Sequence, residues 1–307
     1  MTSHGNEKRH VIVRTLFSSV LVVVLVIACA KSETAQSQSV TSSEQSNTAN
    51  QSDVEISKQA ANPLASRWLL GFQQNNTWIG LPSNRGTEVQ SNLLFQPLFS
   101  FKLDHSWNLF MRPVIQTFNS TPYVDQSGRT DRVTGLGDTV LAFAVSPGHS
   151  LVGNWLLAAG PTFIGPSATE SLVGQHKWQF GPTAAVGYVG KHFLTYVFPQ
   201  QWFSLGGNGQ KVSQLSAQYA FIYFFSSGWS LGTNPSMMVN WEAASGSKMT
   251  FPIGLQIGKL RKLGPVPVKF DLQGQYYPVR PEVSGPRWNI QLQVTPTVPS
   301  PIKRAIF

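Results

Sequence analysis

Trp229 to Glu242, WSLGTNPSMMVNWE, is the stretch that decides the fold. Trp229, Leu231, Thr233, Pro235, Met237, Val239 and Trp241 fall on one face, and Ser230, Gly232, Asn234, Ser236, Asn240 and Glu242 on the other, with Met238 the lone apolar exception. Successive side chains of a strand point to opposite faces, so this alternation predicts a strand with one apolar and one polar side. Strands of soluble sheets run about five or six residues; this one is far longer. At about 3.3 Å per residue and a tilt near 45°, its two tryptophans stand roughly 28 Å apart along a membrane normal. That matches the ~25 Å apolar band, edged by aromatic girdles, of a transmembrane barrel.

Working outward, the same period recurs. Met249, Phe251, Ile253, Leu255 and Ile257 alternate with Thr250, Pro252, Gly254, Gln256 and Gly258. Val268 to Tyr277 and Trp288 to Thr295 repeat the pattern, as do Trp107 to Gln116 and Gln214 to Phe225, whereas His192 to Phe203 is apolar on both faces and its inner side stays unassigned. Twelve runs emerge, at about 67–79, 87–102, 106–118, 136–146, 153–165, 176–188, 192–205, 212–225, 229–242, 248–260, 266–279 and 287–298. Short turns (Leu103-Asp104-His105, Val189-Gly190-Lys191, Ser226-Ser227-Gly228) follow the even runs, and longer connections, up to 119–135, follow the odd ones. Short periplasmic turns opposite long outer loops characterise such barrels. The expected fold is therefore all-β, a transmembrane antiparallel up-and-down β-barrel of about twelve strands occupying 66–307, with both termini periplasmic. Trp107, Trp155, Trp178, Trp229, Trp241 and Trp288, near run ends, are the expected aromatic girdle.

Composition agrees. Only 12% of the 307 residues are charged while 41% are hydrophobic, with 26 Gly, 9 Trp and 19 Phe, so apolar residues are spread thinly over many strands. The formal charge of +9 is scattered rather than clustered, which argues against nucleic acid as a partner. Residues 1–14 are polar and basic, and Thr15 to Ala28 form a fourteen-residue apolar run, short for a membrane helix and apt for a signal peptide over 1–28. Val26-Ile27-Ala28-Cys29 resembles a lipobox, which would lipidate Cys29; Ala28-Cys29-Ala30 also satisfies ordinary signal peptidase. Cys29 is the sole cysteine, so the chain has no internal disulfide. Residues 29–65, rich in Ser, Gln and Thr, are expected to be a disordered tether.

No catalytic set is evident. His105-Ser106 and His149-Ser150 lie in expected turns, without a third member of a triad, and no metal motif, cofactor or phosphate-binding loop is present. The chain is not expected to be an enzyme. Lys102, Arg112, Asp138, Lys177, Glu242, Lys248, Lys269, Asp271 and Arg287 fall on the polar faces, and a charge on the lipid face would cost about 2–4 kcal/mol at the midplane. They are the expected lumen-lining charges, with Arg112 and Asp138 on adjacent strands near a constriction.

Gly135-Leu136-Gly137-Asp138, Gly160-Pro161, Pro166-Ser167-Ala168-Thr169, Lys177-Trp178, Gly181-Pro182, Asn240-Trp241-Glu242, Phe251-Pro252-Ile253-Gly254, Leu272 to Tyr277, Arg280-Pro281, Trp288 and Gln293-Val294 together carry a resemblance. Over most of 66–295 the chain resembles the bacterial outer-membrane barrels of the meta-pathway phenol-degradation type, some members of which bear the label "neuromedin U". The resemblance implies a transport role in the outer membrane and no catalytic residues. The expected function is a narrow passive channel for small, aromatic or hydrophobic, solutes. The alternative is a non-conducting structural or binding barrel. Expected partners are outer-membrane lipids, the barrel-assembly machinery and the solute. One departure is that Pro296, Pro299 and Pro301 interrupt the approach to the terminal Phe307, so the last strand should end near Val298.

Overall fold

The computed structural model describes residues 52–82, 86–207, 210–302 and 305–306. The expected signal peptide, Cys29, most of the tether and Phe307 lie outside them. The strands are β1 (Trp68–Gly80), β2 (Thr87–Lys102), β3 (Trp107–Val124), β4 (Thr130–Gly135), β5 (Thr139–Pro147), β6 (Trp155–Gly165) and β7 (Lys177–Val189). They continue through β8 (Phe193–Gly207), β9 (Ser213–Phe224), β10 (Trp229–Thr233), β11 (Ser236–Asn240), β12 (Met249–Leu263), β13 (Val266–Val279) and β14 (Pro286–Val298). Every neighbour pairing is antiparallel, and β1 pairs with β14 from Trp68↔Val298 to Trp78↔Trp288, so the sheet closes on itself. Closure removes the sheet edges and satisfies strand backbones internally, the condition for a sheet to sit in hydrocarbon.

The barrel has twelve wall positions, because two of the fourteen strands are extras. β4 pairs only with β3, and prolongs it into a hairpin within the connection expected as a loop at 119–135. β10 and β11 are one wall strand broken at Asn234-Pro235, and pairing with β9 passes from Thr233↔Phe221 to Ser236↔Gln218 without a change of register. The alternation of Trp229 to Glu242 thus survives the break. Proline also interrupts the ladder between β2 and β3, which goes from Phe95↔Ile115 to Phe99↔Met111, leaving Pro97 opposite Pro113. Neither proline has an N–H to donate.

Leu231, Ile253, Leu255, Ile257, Leu272 and Ile290 are exposed on the outer face, while their strand neighbours Ser230, Gln256, Asp271 and Asn289 are buried inside. β8, ambiguous in the sequence, turns Leu194, Tyr196, Phe198 and Trp202 inward and exposes Val197 and Phe203. The six tryptophans are all exposed: Trp107, Trp155 and Trp229 at strand ends beside short turns, Trp178, Trp241 and Trp288 at the opposite end. In the short turns, Gly228 (φ 77°) and Gly264 (φ 61°) adopt left-handed conformations that glycine reaches without steric cost.

The tether expectation fails for its last part. Asp53–Ala61 forms a helix, α1, whose N-cap Ser52 accepts a hydrogen bond from the Glu55 N–H at 3.3 Å. The only other helix among the described residues, α2 (His149–Val152), is one turn in the β5–β6 connection. α1 packs against β8, β9, β12, β13 and β14, which lie on different sides of the barrel, so it sits within the short-turn end. Val54, Ile56, Ser57, Lys58 and Ala60 are buried, a pattern that leaves no wide solvent face. Polar composition upstream hid this: Val54, Ile56 and Ala60 cannot make a core alone, but the barrel supplies the other half.

Candidate functional site

The inward face of the short-turn half divides into two kinds of wall. From β5 to β9 it presents Ala142, Ala144, Leu156, Ala158, Ala185, Leu194, Ala220, Ile222 and Phe224, one cluster that includes Val54 of α1. The alanines leave room for the helix, and burying a side chain such as Val54 contributes about 1.5–3 kcal/mol. Lys58 fixes the helix end-on, its Nζ donating to the carbonyls of Gly190 and Lys191 at 3.2 Å each in the β7–β8 turn and pairing with Glu55 at 2.6 Å. Lys262 approaches Asp53 at 3.8 Å from the end of β12. The opposite wall, β12 to β14, is polar: Gln256, Lys269, Asp271, Gln273, Thr295 and Thr297 are all buried.

Between α1 and mid-barrel lies a cavity of about 60 Å³. Ala60 to Pro63 form its floor, Leu69, Leu98 and Ile222 its apolar sides, and Arg112, Tyr196, Gln218, Asn234, Gln256, Lys269 and Asp271 its polar lining. Arg112 rises from β3 and crosses the lumen. One guanidinium nitrogen donates to Gln218 Oε1 at 3.3 Å, and the other to Gln96 Oε1 at 3.0 Å. Gln218 stands on β9, reached from β3 through β5, β6, β7 and β8, and so on the far wall. The guanidinium also lies 5.5 Å from the Phe198 ring centroid. Tyr196 Oη and Gln218 Nε2 both donate to Asn234 Oδ1, at 2.9 and 3.0 Å. Lys269 Nζ is in direct contact with Asp271 Oδ1, which also accepts from Gln256 Nε2 at 2.7 Å.

The nine charges expected in the lumen separate into groups. Arg112, Lys269 and Asp271 meet at the cavity. Lys177 is buried at the long-loop end, where its Nζ donates to the Gly207 carbonyl at 3.1 Å. Lys102 is exposed at the short-turn rim, and Lys248, Arg287 and Glu242 are exposed at the other rim, Glu242 pairing with Lys211 at 3.1 Å.

Asp138 requires a correction. It is not beside Arg112: Arg112 pairs with Ala142 on β5, four residues further along, about 13 Å at the usual strand rise. Nor does it face open lumen. Its carboxylate accepts the backbone N–H groups of Ala168 at 3.1 Å and Gln175 at 2.6 Å, and so holds the β6–β7 connection against the long-loop end. Hydrogen bonds to a charged acceptor contribute about 1.5–3 kcal/mol each. Ser167 Oγ donates to the Gly137 carbonyl, and the Leu136 N–H donates to Thr169 Oγ1, both at 3.0 Å. Two motifs quoted separately from the sequence, Gly135–Asp138 and Pro166–Thr169, are thus the halves of one latch. From the latched loop Gln175 reaches inward to bond Gln179 and Gln214.

Sequence reading missed α1, Tyr196, Gln218 and Asn234. Ser52-Asp53-Val54-Glu55 is a capping-box pattern, and it was the available signal for the helix. Gln218 and Asn234 carried none, because amides on the polar face of an alternating strand are ordinary lumen residues, and Tyr196 carried none because its run is apolar on both faces.

No family model and no curated protein matches the sequence. Solved structures do. The crystal structure of an outer membrane channel from Pseudomonas putida is 12% identical with a TM-score of 0.54, covering 75% of this chain and 95% of that one. The NanC porin is 8% identical (TM-score 0.45, 75% and 98% covered), and the CymD monoaromatic hydrocarbon channel 10% identical (TM-score 0.35, 79% and 92% covered). The chain has the fold of an outer-membrane channel barrel.

Proposed function

We propose that the protein resides in the outer membrane, short turns toward the periplasm, and passes small organic solutes through its lumen. The cavity walled by α1 on one side and crossed by Arg112 supports this reading: its lining comes from strands around most of the barrel, is both polar and apolar, and has the end of a helix as its floor. Arg112, Lys269 and Asp271 are the charges placed to act on a passing solute, through a field that is strong where water is scarce. In this reading α1 closes the resting channel. Its lock is Lys58, and its apolar grip is Val54 against Leu194, Ile222 and Phe224.

Planar-bilayer recording tests it. The refolded full chain should show small conductance, and a chain lacking 53–61 a conductance several-fold larger. Silence from both would overturn the channel reading in favour of a structural or binding barrel, for which the lumen-crossing Arg112 contacts would be an internal brace. We further propose that Cys29 carries lipid. Fatty-acid labelling should be lost in Cys29→Ala, and an unlabelled wild-type chain beginning at Lys31 would sink that assignment.

A further inference from the structure

The charges around the cavity do not cancel. Two cations, Arg112 and Lys269, face one carboxylate, Asp271, and that carboxylate is already engaged by Lys269 and by the Gln256 amide. Among the described residues Arg112 has no acidic partner. Its hydrogen bonds go to two neutral amide oxygens, and its flat face lies near Phe198. A guanidinium carries five N–H donors, so two bonds leave three for something else. A charge held inside a barrel without a counter-charge is costly, and a fold that needed only a brace could use a neutral amide there.

The remaining lining says what would complete it. The guanidinium fork matches the two oxygens of a carboxylate better than it matches a spherical ion. Leu69, Leu98 and Ile222 offer nothing to an inorganic anion but suit a short hydrocarbon body. A cavity of about 60 Å³ has room for a few water-sized groups, hence for a ligand of about five heavy atoms, without displacing α1.

Resting on the solute-channel reading and extending it to a ligand class, we propose that the cavity is a binding site for small organic monocarboxylates. The carboxylate takes the free donors of Arg112, and the hydrocarbon part lies against Leu69, Leu98 and Ile222.

Calorimetric titration of the refolded full chain in detergent reads binding without any need for transport. Propionate should bind, and propionamide, the neutral analogue of nearly the same shape, at least tenfold more weakly. Arg112→Gln should weaken propionate at least tenfold and leave propionamide unchanged, while Arg112→Lys should retain part of the affinity. Asp271→Asn removes the negative charge lining the cavity, which repels an anion there, and should tighten propionate several-fold, so the proposal makes opposite demands on two variants. Heat-modifiable migration verifies that each variant is folded; should Arg112→Gln not fold, Asp271→Asn and the propionamide comparison still decide. Equal binding of propionate and propionamide, or of propionate by wild type and Asp271→Asn, would overturn the proposal, as would chloride or phosphate competing as well as propionate. Propionate binding in a chain that carries no current would leave this site standing and remove the channel.

Discussion

The two walls of the short-turn half are built from one strand geometry and behave as different materials. From β5 to β9 the inward residues are small or apolar, and they meet α1 through dispersion contacts and burial. From β12 to β14 they are amides, hydroxyls and one ion pair, each needing a partner of its own. Some have none among the described residues: both amide atoms of Gln273 and the Thr297 hydroxyl meet no hydrogen-bond partner there. The lesson is a division of labour. The apolar wall buries Val54 of the helix, and the polar wall, against which the helix also packs, carries the ionised groups beside the cavity.

The difference is sharpest under one substitution chemistry placed on each wall. Leu194 is fully buried beside Ile222 and Phe224 and does not line the cavity, so Leu194→Asp puts a carboxylate among apolar side chains. It should cost about 3–5 kcal/mol or abolish folding, read as a large drop in the temperature at which the compact gel band disappears. Packing is the next test: Ala185 is 1% exposed in the same cluster, and Ala185→Leu should cost about 1–3 kcal/mol and raise conductance by displacing α1. An unchanged conductance would mean that the helix does not lean on this wall.

On the polar wall, Thr295 pairs across the strands with Lys269. Thr295→Asp therefore gives the new carboxylate a cation, and the loss should stay within about 1 kcal/mol, though Thr295 is as buried as Leu194 by any practical measure. Equal damage from the two aspartates would erase the distinction between the walls. The smallest effect belongs to neither. In the exposed turn after β3, a hydrogen bond from the Ser127 hydroxyl, and then one from the Arg129 N–H, hold the Asp125 carboxyl below its ordinary value. A lowered folded-state pKa contributes stability above the ordinary carboxylate value of about 3.9, and that contribution disappears as pH falls through the lowered one. The protection of the Arg129 amide, relative to the intrinsic exchange rate at each pH, should fall only in that acid window, while the walls stay protected.

Much of the barrel was legible because alternation is local. Trp229 and Leu231 against Ser230 carry their facing in three consecutive residues, and closure changes none of it. β8 was illegible for the same reason: with Val197 as apolar as Phe198, no period distinguishes lipid from lumen, and only the neighbours of each side chain decide. α1 escaped because its burial is borrowed from strands more than a hundred residues away, as with Lys58 and the Gly190 carbonyl.

The sequence by itself determined the strand count, the positions of the tight turns, the outward apolar face and the inward direction of Arg112, Lys269 and Asp271. Only the tertiary structure decided what those inward side chains meet. Arg112 finds Gln218 across 106 residues of chain, and Asp138 finds Ala168 and Gln175 instead of Arg112. The physical reason is that a strand's period fixes the side of the wall on which a residue stands, whereas its partner is set by ring closure, strand stagger and loop return. Those are properties of the whole sheet, and no run of ten or fifteen residues contains them.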